Sequence, residues 1–140
     1  MKVQVIRSNR KTIGLEVRAD ESVILRAPAV DEISDVEWKS ILGEFTERVN
    51  HFCKIMEVTV GRITIRNQKT RWGSCSSKGN VNFNYQLYYM PRELMDYVII
   101  HELSHRRHMN HSAEFWQEVE KYCPAYRECR KKLRDYEIAP

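Results

Sequence analysis

The sequence predicts a single α+β domain spanning residues 1–140, and three observations predict it. Strand-like segments interrupted by one amphipathic stretch come first and helical segments come last, so strands and helices are segregated rather than alternating. The chain is 42% hydrophobic and 30% charged, with five glycines and four prolines, an ordinary globular composition. At 140 residues it is long enough for one hydrophobic core and short for two.

Each element follows from local pattern. Val3 and Val5, then Thr12–Arg18 and Ser22–Arg26, alternate as strands of an N-terminal antiparallel set; Asp20-Glu21 makes the turn and Pro28 ends the run. Trp38, Ile41, Leu42, Phe45, Val49 and Phe52 recur at helical spacing, predicting one helix over about 31–54. Its first turn, Asp31-Glu32, is acidic, which suits the positive end of the helix dipole. Arg62–Arg66, Lys69–Cys75 and Val81–Leu87 read as the strands of a mixed sheet. In the last of these, Val81, Phe83, Tyr85 and Leu87 share one face and Asn82, Asn84 and Gln86 the other; Gly79-Asn80 is a turn signal before it. Pro91 opens a helix reaching about His108, Ser112 caps another through Tyr122, and Pro124 starts a last basic one.

Composition excludes several classes. No apolar run approaches the roughly 18 residues of a membrane helix, and the opening MKVQVIRSNRK lacks a signal-peptide core. Four cysteines, Cys53, Cys75, Cys123 and Cys129, form no CxxC pair, so reduced thiols and a cytoplasmic location are expected. The formal net charge of +4 is uneven, positive over 1–18 and 51–78 and negative over 19–50. A solvated surface accounts for such a modest excess; an anionic partner is the alternative reading.

The chemistry lies in His101-Glu102-Leu103-Ser104-His105. Histidines four apart on a helix stand one turn above each other and reach one cation, while the intervening glutamate sits beside the metal, where a general base for water belongs. A catalytic zinc asks for a third ligand. His111, reached by a turn through Asn110, is favoured over His108, which on an unbroken helix would lie about 4.5 Å further along the axis than His105.

Taken together, Arg71-Trp72-Gly73-Ser74-Cys75-Ser76, the stretch Asp96–His105, Asn110-His111-Ser112 and Phe115-Trp116 resemble the YgjP-like metallopeptidase family. Arg7–Ile13 and Arg26-Ala27-Pro28 resemble its N-terminal part, so the likeness spans nearly the whole chain. The resemblance implies a zincin-like, metal-dependent hydrolase related to SprT-type proteases. It implies one zinc on His101, His105 and His111, Glu102 as catalytic acid and base, and a peptide or protein substrate. The histidine spacing also matches metzincins, but His108 stands where those have glycine, and no methionine follows Met109. A glutamate ligand from the next helix, Glu118 or Glu120, is a minor alternative.

Further expectations concern substrate. An extended peptide could lie along an exposed Val81–Leu87 edge, meeting Asn82, Asn84 and Gln86. Arg71 is a candidate to steady an oxyanion, though anchoring a loop is its favoured role. Trp72 and Trp116 read as core aromatics, and Cys75 as a small buried residue rather than a latent metal ligand. Two competing functions are a nucleic-acid-binding module with a structural zinc and a catalytically silent adaptor with the same fold.

Overall fold

The computed structural model describes residues 2–5, 15–17, 23–25, 27–68 and 70–136. Along the chain these form β1 (Lys2–Val5), β2 (Leu15–Val17), β3 (Val23–Leu25), α1 (Asp35–Met56), β4 (Arg62–Arg66), β5 (Gly73–Cys75), β6 (Val81–Asn84), α2 (Arg92–Ser104), α3 (Ala113–Tyr122) and α4 (Tyr126–Asp135). The predicted α+β class is what forms, with four α-helices around a mixed sheet. The remaining parts of the predicted strands at Thr12–Arg18, Ser22–Arg26 and residue 69 lie outside the described residues.

The main sheet runs β1-β4-β6-β5, and β2 and β3 form a separate antiparallel pair with Leu15 opposite Leu25. β1 corrects the sequence reading. It is parallel to β4, Val3 opposite Ile63, rather than part of an N-terminal antiparallel set. A parallel pairing needs a long crossover, which the 22-residue helix α1 helps to supply. β4 is also parallel to β6, while β5 and β6 are antiparallel across the Ser76–Asn80 turn, in which Gly79 takes a positive φ of 86°.

α1 begins later than its acidic signal suggested. Val30–Glu32 is a short 3-10 turn, and Ser34 caps the helix by accepting from the Glu37 amide at 3.1 Å. Trp38, Ile41, Phe45, Val49, Phe52 and Met56 are buried along one stripe. Phe45 stacks on Phe83 of β6, and Trp38 meets Tyr85, each with ring centroids 5.7 Å apart.

β6 stops at Asn84, and Tyr85–Tyr89 coils into a 3-10 turn. The cause is local: Asn84 Oδ1 accepts from the Gln86 amide at 3.0 Å, offering the backbone an alternative to the strand ladder. Two expectations therefore fail. β6 lies between β4 and β5 rather than at an edge, and Asn84 and Gln86 are buried instead of facing solvent.

α2 is the central helix. Leu94, Met95, Tyr97, Val98, Ile99, Ile100 and Leu103 are all buried, so it is covered nearly all round. Arg48 of α1 grips Asp96 with two parallel bonds of 2.9 and 2.8 Å, a bidentate clamp fixing the two helices. On its other side Lys132 of α4 reaches Glu93 at 3.0 Å. Among the described residues no helix is long and apolar enough to cross a membrane, and all four cysteines are free.

Candidate metal centre

α2 carries His101, Glu102 and His105 in its last turn and at its C-cap. The helix ends at Ser104 rather than near His108. Ser104 Oγ bonds back to the Ile100 carbonyl at 2.8 Å, and the amides of His105, Arg106 and Arg107 bond three residues back, a tightened final turn. The two arginines of that turn are anchored elsewhere. Arg106 donates to the Thr59 and Ser77 carbonyls, and Arg107 to those of Met56 and Glu57 at the end of α1.

This early ending places the two rival histidines differently. His101, His105 and His111 have ligand atoms all within 4.8 Å of one another, whereas His108 is outside that group. Its backbone serves instead: the His108 carbonyl lies 3.0 Å from His105 Nδ1, which fixes the ring so that Nε2 is the free nitrogen. His101 Nδ1 faces the Tyr97 hydroxyl at 3.5 Å, and its Nε2 lies 3.4 Å from His111 Nε2. The alternative acidic ligands stand away. Glu118 pairs with Arg107 at 3.6 Å, and Glu120 is exposed.

α3 completes the surround. Ser112, directly after His111, caps it by accepting from the Phe115 amide at 3.3 Å, which fixes the chain direction at the third histidine. Phe115 is fully buried, stacks on His105 at 4.4 Å and meets the edges of His101 and His111 at 5.0 Å. Trp116 stacks on His111 at 6.0 Å and on Tyr126 at 5.3 Å. The two aromatics thus form a rigid apolar wall behind the three rings. No spacing rule singles out that role for Phe115; only its place beside the histidine cluster hinted at it.

Burial sets the protonation of the site. The His101 imidazolium is disfavoured, its pKa pulled down to about 3 by burial first and then by His105 and His111. His105 is lowered too, again chiefly by burial. Glu102, 7% exposed, has its carboxyl pushed up to about 8 by burial, with Arg71 opposing. Neutral imidazoles are the form that binds a cation. β5 runs close over this glutamate because residue 73 is glycine. A Cβ there would stand 3.1 Å from Glu102 Cγ, from Val98 Cγ1 and from the Asn82 carbonyl.

The cleft is lined by Arg71, Gly73, Ser74, Cys75, His101, Glu102, His105, Met109 and His111. Arg71 is exposed at its rim. Cys75 also lines it, but its thiol is pushed up to about 11 by burial, with Glu102 adding to the effect, and so stays protonated. The predicted amides are placed differently. Asn84 is fully buried, and its Nδ2 donates to the carbonyls of Gln68 and Arg71, holding the loop that presents Arg71 and Trp72. Asn82 accepts from Arg66 Nε and donates to Ser74 Oγ within the sheet.

Three histidines gathered around the glutamate-bearing end of a helix are a metallopeptidase-like arrangement, and the family comparison agrees. The model for the YgjP-like, metallopeptidase domain matches residues 27–136. The chain belongs to the YgjP-like metallopeptidase family. As a member it is a metal-dependent protease, with peptides or proteins as its class of substrate. No curated protein matches it in sequence. Among solved structures it is similar to the metallopeptidase zymogen abylysin of Pyrococcus abyssi, at 27% identity and a TM-score of 0.59, over 64% of this chain and 90% of that one. The zymogen jannalysin of Methanocaldococcus jannaschii gives 25% identity and 0.56, over 64% and 92%. Wss1 from Saccharomyces cerevisiae shares the fold at 12% identity and 0.57, over 94% and 92%. Three histidines of this YgjP-like chain can hold a divalent metal.

Proposed function

We propose that this YgjP-like chain is a zincin-like zinc peptidase that binds one ion through His101, His105 and His111 and uses Glu102 as general base. The observation that carries the reading is the 3.4 Å separation of His101 Nε2 and His111 Nε2. Two nitrogens held about 2.0–2.1 Å from a tetrahedral zinc stand about 3.3–3.4 Å apart, so the pair matches the edge of that coordination polyhedron. The donor set agrees: three neutral imidazoles, two with their Nδ1 already engaged, and no fourth protein ligand in the group. When bound, zinc supplies an acidified water and polarisation of the scissile carbonyl.

The chain's own residues do the rest. Glu102 receives the water's proton at its carboxylate and later releases it to the departing amine. Its place in the wall of the same cleft as the three histidines suits both transfers. Arg71 stands at the rim, where its cation can steady negative charge on the substrate oxygen. Substrate main chain has a different edge from the one predicted. β5 is the outer strand beside the cleft, so Gly73–Cys75 can pair with an extended peptide. Asn82 and Asn84 support this edge from behind rather than touching substrate.

Metal analysis with an X-ray absorption spectrum at the zinc edge tests the ligand set. One zinc per chain with three imidazole shells and a light-atom fourth ligand is expected. A sulfur shell, or an unchanged spectrum in His111→Ala, would contradict it.

A further inference from the structure

A second recess lies beside the metal cleft. It is a cavity of about 240 Å³ lined by Arg71, Trp72, Tyr97, Val98 and Leu133, with His101, Glu102 and Gly73 at one end. It adjoins the cleft, with which it shares Arg71, Gly73, His101 and Glu102. Apart from Arg71, His101 and Glu102, its walls are apolar: Tyr97, Val98 and Leu133 are 4%, 3% and 8% exposed, and the Tyr97 hydroxyl is already turned to His101. On its far side the recess runs on into a groove that shares Trp72, Tyr97 and Leu133 and adds Arg130, Arg134 and Tyr136. Arg130 and Arg134 are exposed, and among the described residues neither has a salt-bridge partner.

We infer that this recess is the enzyme's specificity pocket, taking a bulky apolar side chain of the residue beside the scissile bond, with Arg130 and Arg134 favouring acidic residues further along the substrate. The inference rests on the peptidase reading above and names its substrate class. The physical reasons are three. The walls of Trp72, Tyr97, Val98 and Leu133 favour an apolar side chain over a basic one, which would lose its water and meet the Arg71 cation. The recess begins at Glu102, so a side chain lodged in it belongs to a residue flanking the bond under attack. The groove beyond offers two exposed cations, Arg134 and an Arg130 that lies over the Trp116 ring at 4.9 Å, with no salt-bridge partner among the described residues, which complements carboxylates in an extended chain. Anchoring of α4 to α2, by Lys132 on Glu93 and Cys129 Sγ near the Glu93 carbonyl, holds Leu133 and both arginines in place.

Two measurements on the full zinc-loaded chain decide it. In the first, an unbiased peptide library is digested and the cleavage sites are read by mass spectrometry. Enrichment of Phe, Leu, Met or Tyr by about tenfold at one position flanking the bond is expected, the scale of pocket discrimination. Leu133→Phe should shift that position toward Ala and Val, and the double variant R130E/R134E should reverse the acidic preference. In the second, Glu102→Gln binds peptides differing only at the flanking residue, Phe against Ala. About tenfold tighter binding of Phe, lost in E102Q/L133F or reduced in E102Q/L133A if the larger substitution does not fold, supports the pocket. Equal affinities, or a flat flanking position, overturn it. Arginine variants that lose binding of a single-stranded oligonucleotide while the acidic preference stays unchanged overturn the role of the groove. A library left uncut while Phe peptides still bind defeats the peptidase reading and leaves the pocket standing.

Discussion

Gly73 faces Glu102 with no room for a side chain between them: the Cβ that Gly73 lacks would lie 3.1 Å from Glu102 Cγ. The edge strand and the glutamate-bearing helix are therefore set at one fixed separation, and the glycine is what permits it. Gly73→Ala should cost about 1–3 kcal/mol by overpacking, because the Asn82 carbonyl and Val98 stand equally close. It should also lower kcat with zinc content unchanged, since no histidine is displaced. Denaturant unfolding together with metal analysis checks both parts.

The rival histidines separate by which atom each uses. His111 offers its ring, whereas His108 offers its backbone carbonyl to His105. His111→Ala should weaken zinc binding by at least about 100-fold, more than is typical for loss of an outer-shell partner. His108→Ala keeps the carbonyl and should change affinity only a few-fold. Competition with a chromophoric chelator measures both. Equal losses in the two variants would contradict the assignment.

Much of the site was legible in the sequence because helical spacing is rigid. His101, Glu102 and His105 follow from one turn of helix, and Ser112 followed from capping chemistry. What escaped depended on where regular structure stops. The alternation of Val81–Leu87 runs straight through Asn84, yet the Asn84 side chain bonds the Gln86 amide and turns the chain. Asn84 and Gln86 are buried at that turn, and the free edge lies on β5, which pairs with β6 at Gly73–Cys75. The ring of His108 likewise falls in reach only on an unbroken helix, and the back-bond of Ser104 and the anchors of Arg106 and Arg107 that end the helix are invisible in spacing. The apolar wall of Phe115 is a tertiary fact with no local signature.

Asn84 should accordingly behave as a structural residue. It is fully buried and makes bonds to Gln68, Arg71 and Gln86. Asn84→Ala should destabilise by about 1–3 kcal/mol, the cost of leaving buried polar groups unpaired. Thermal unfolding reports the loss, and KM for a cleaved peptide should change less than the melting temperature implies for a direct substrate contact.

Metal-free stability should respond to pH in opposite senses through two buried groups. The Glu102 carboxyl rises from 4.5 to about 8 on folding, so the folded chain keeps a proton that the unfolded chain releases. Its contribution is fully present below 4.5 and is lost as pH rises through about 8. His101 falls from 6.5 to about 3, so its contribution is present above 6.5 and is lost as pH falls toward 3. With chelator present, the wild-type melting temperature should drop as pH rises from 6.5 through about 8, and Glu102→Gln should remove most of that drop. Parallel curves for the two proteins would speak against the buried carboxyl.

The most direct test of the central claim pairs zinc content with peptide cleavage in Glu102→Gln. Removal of a general base costs about 10²–10⁴-fold, and the ligand histidines are untouched by the change. The account predicts one zinc per chain in both proteins, with cleavage in the wild type alone. Cleavage by the variant at the wild-type rate, or loss of its zinc, would contradict it.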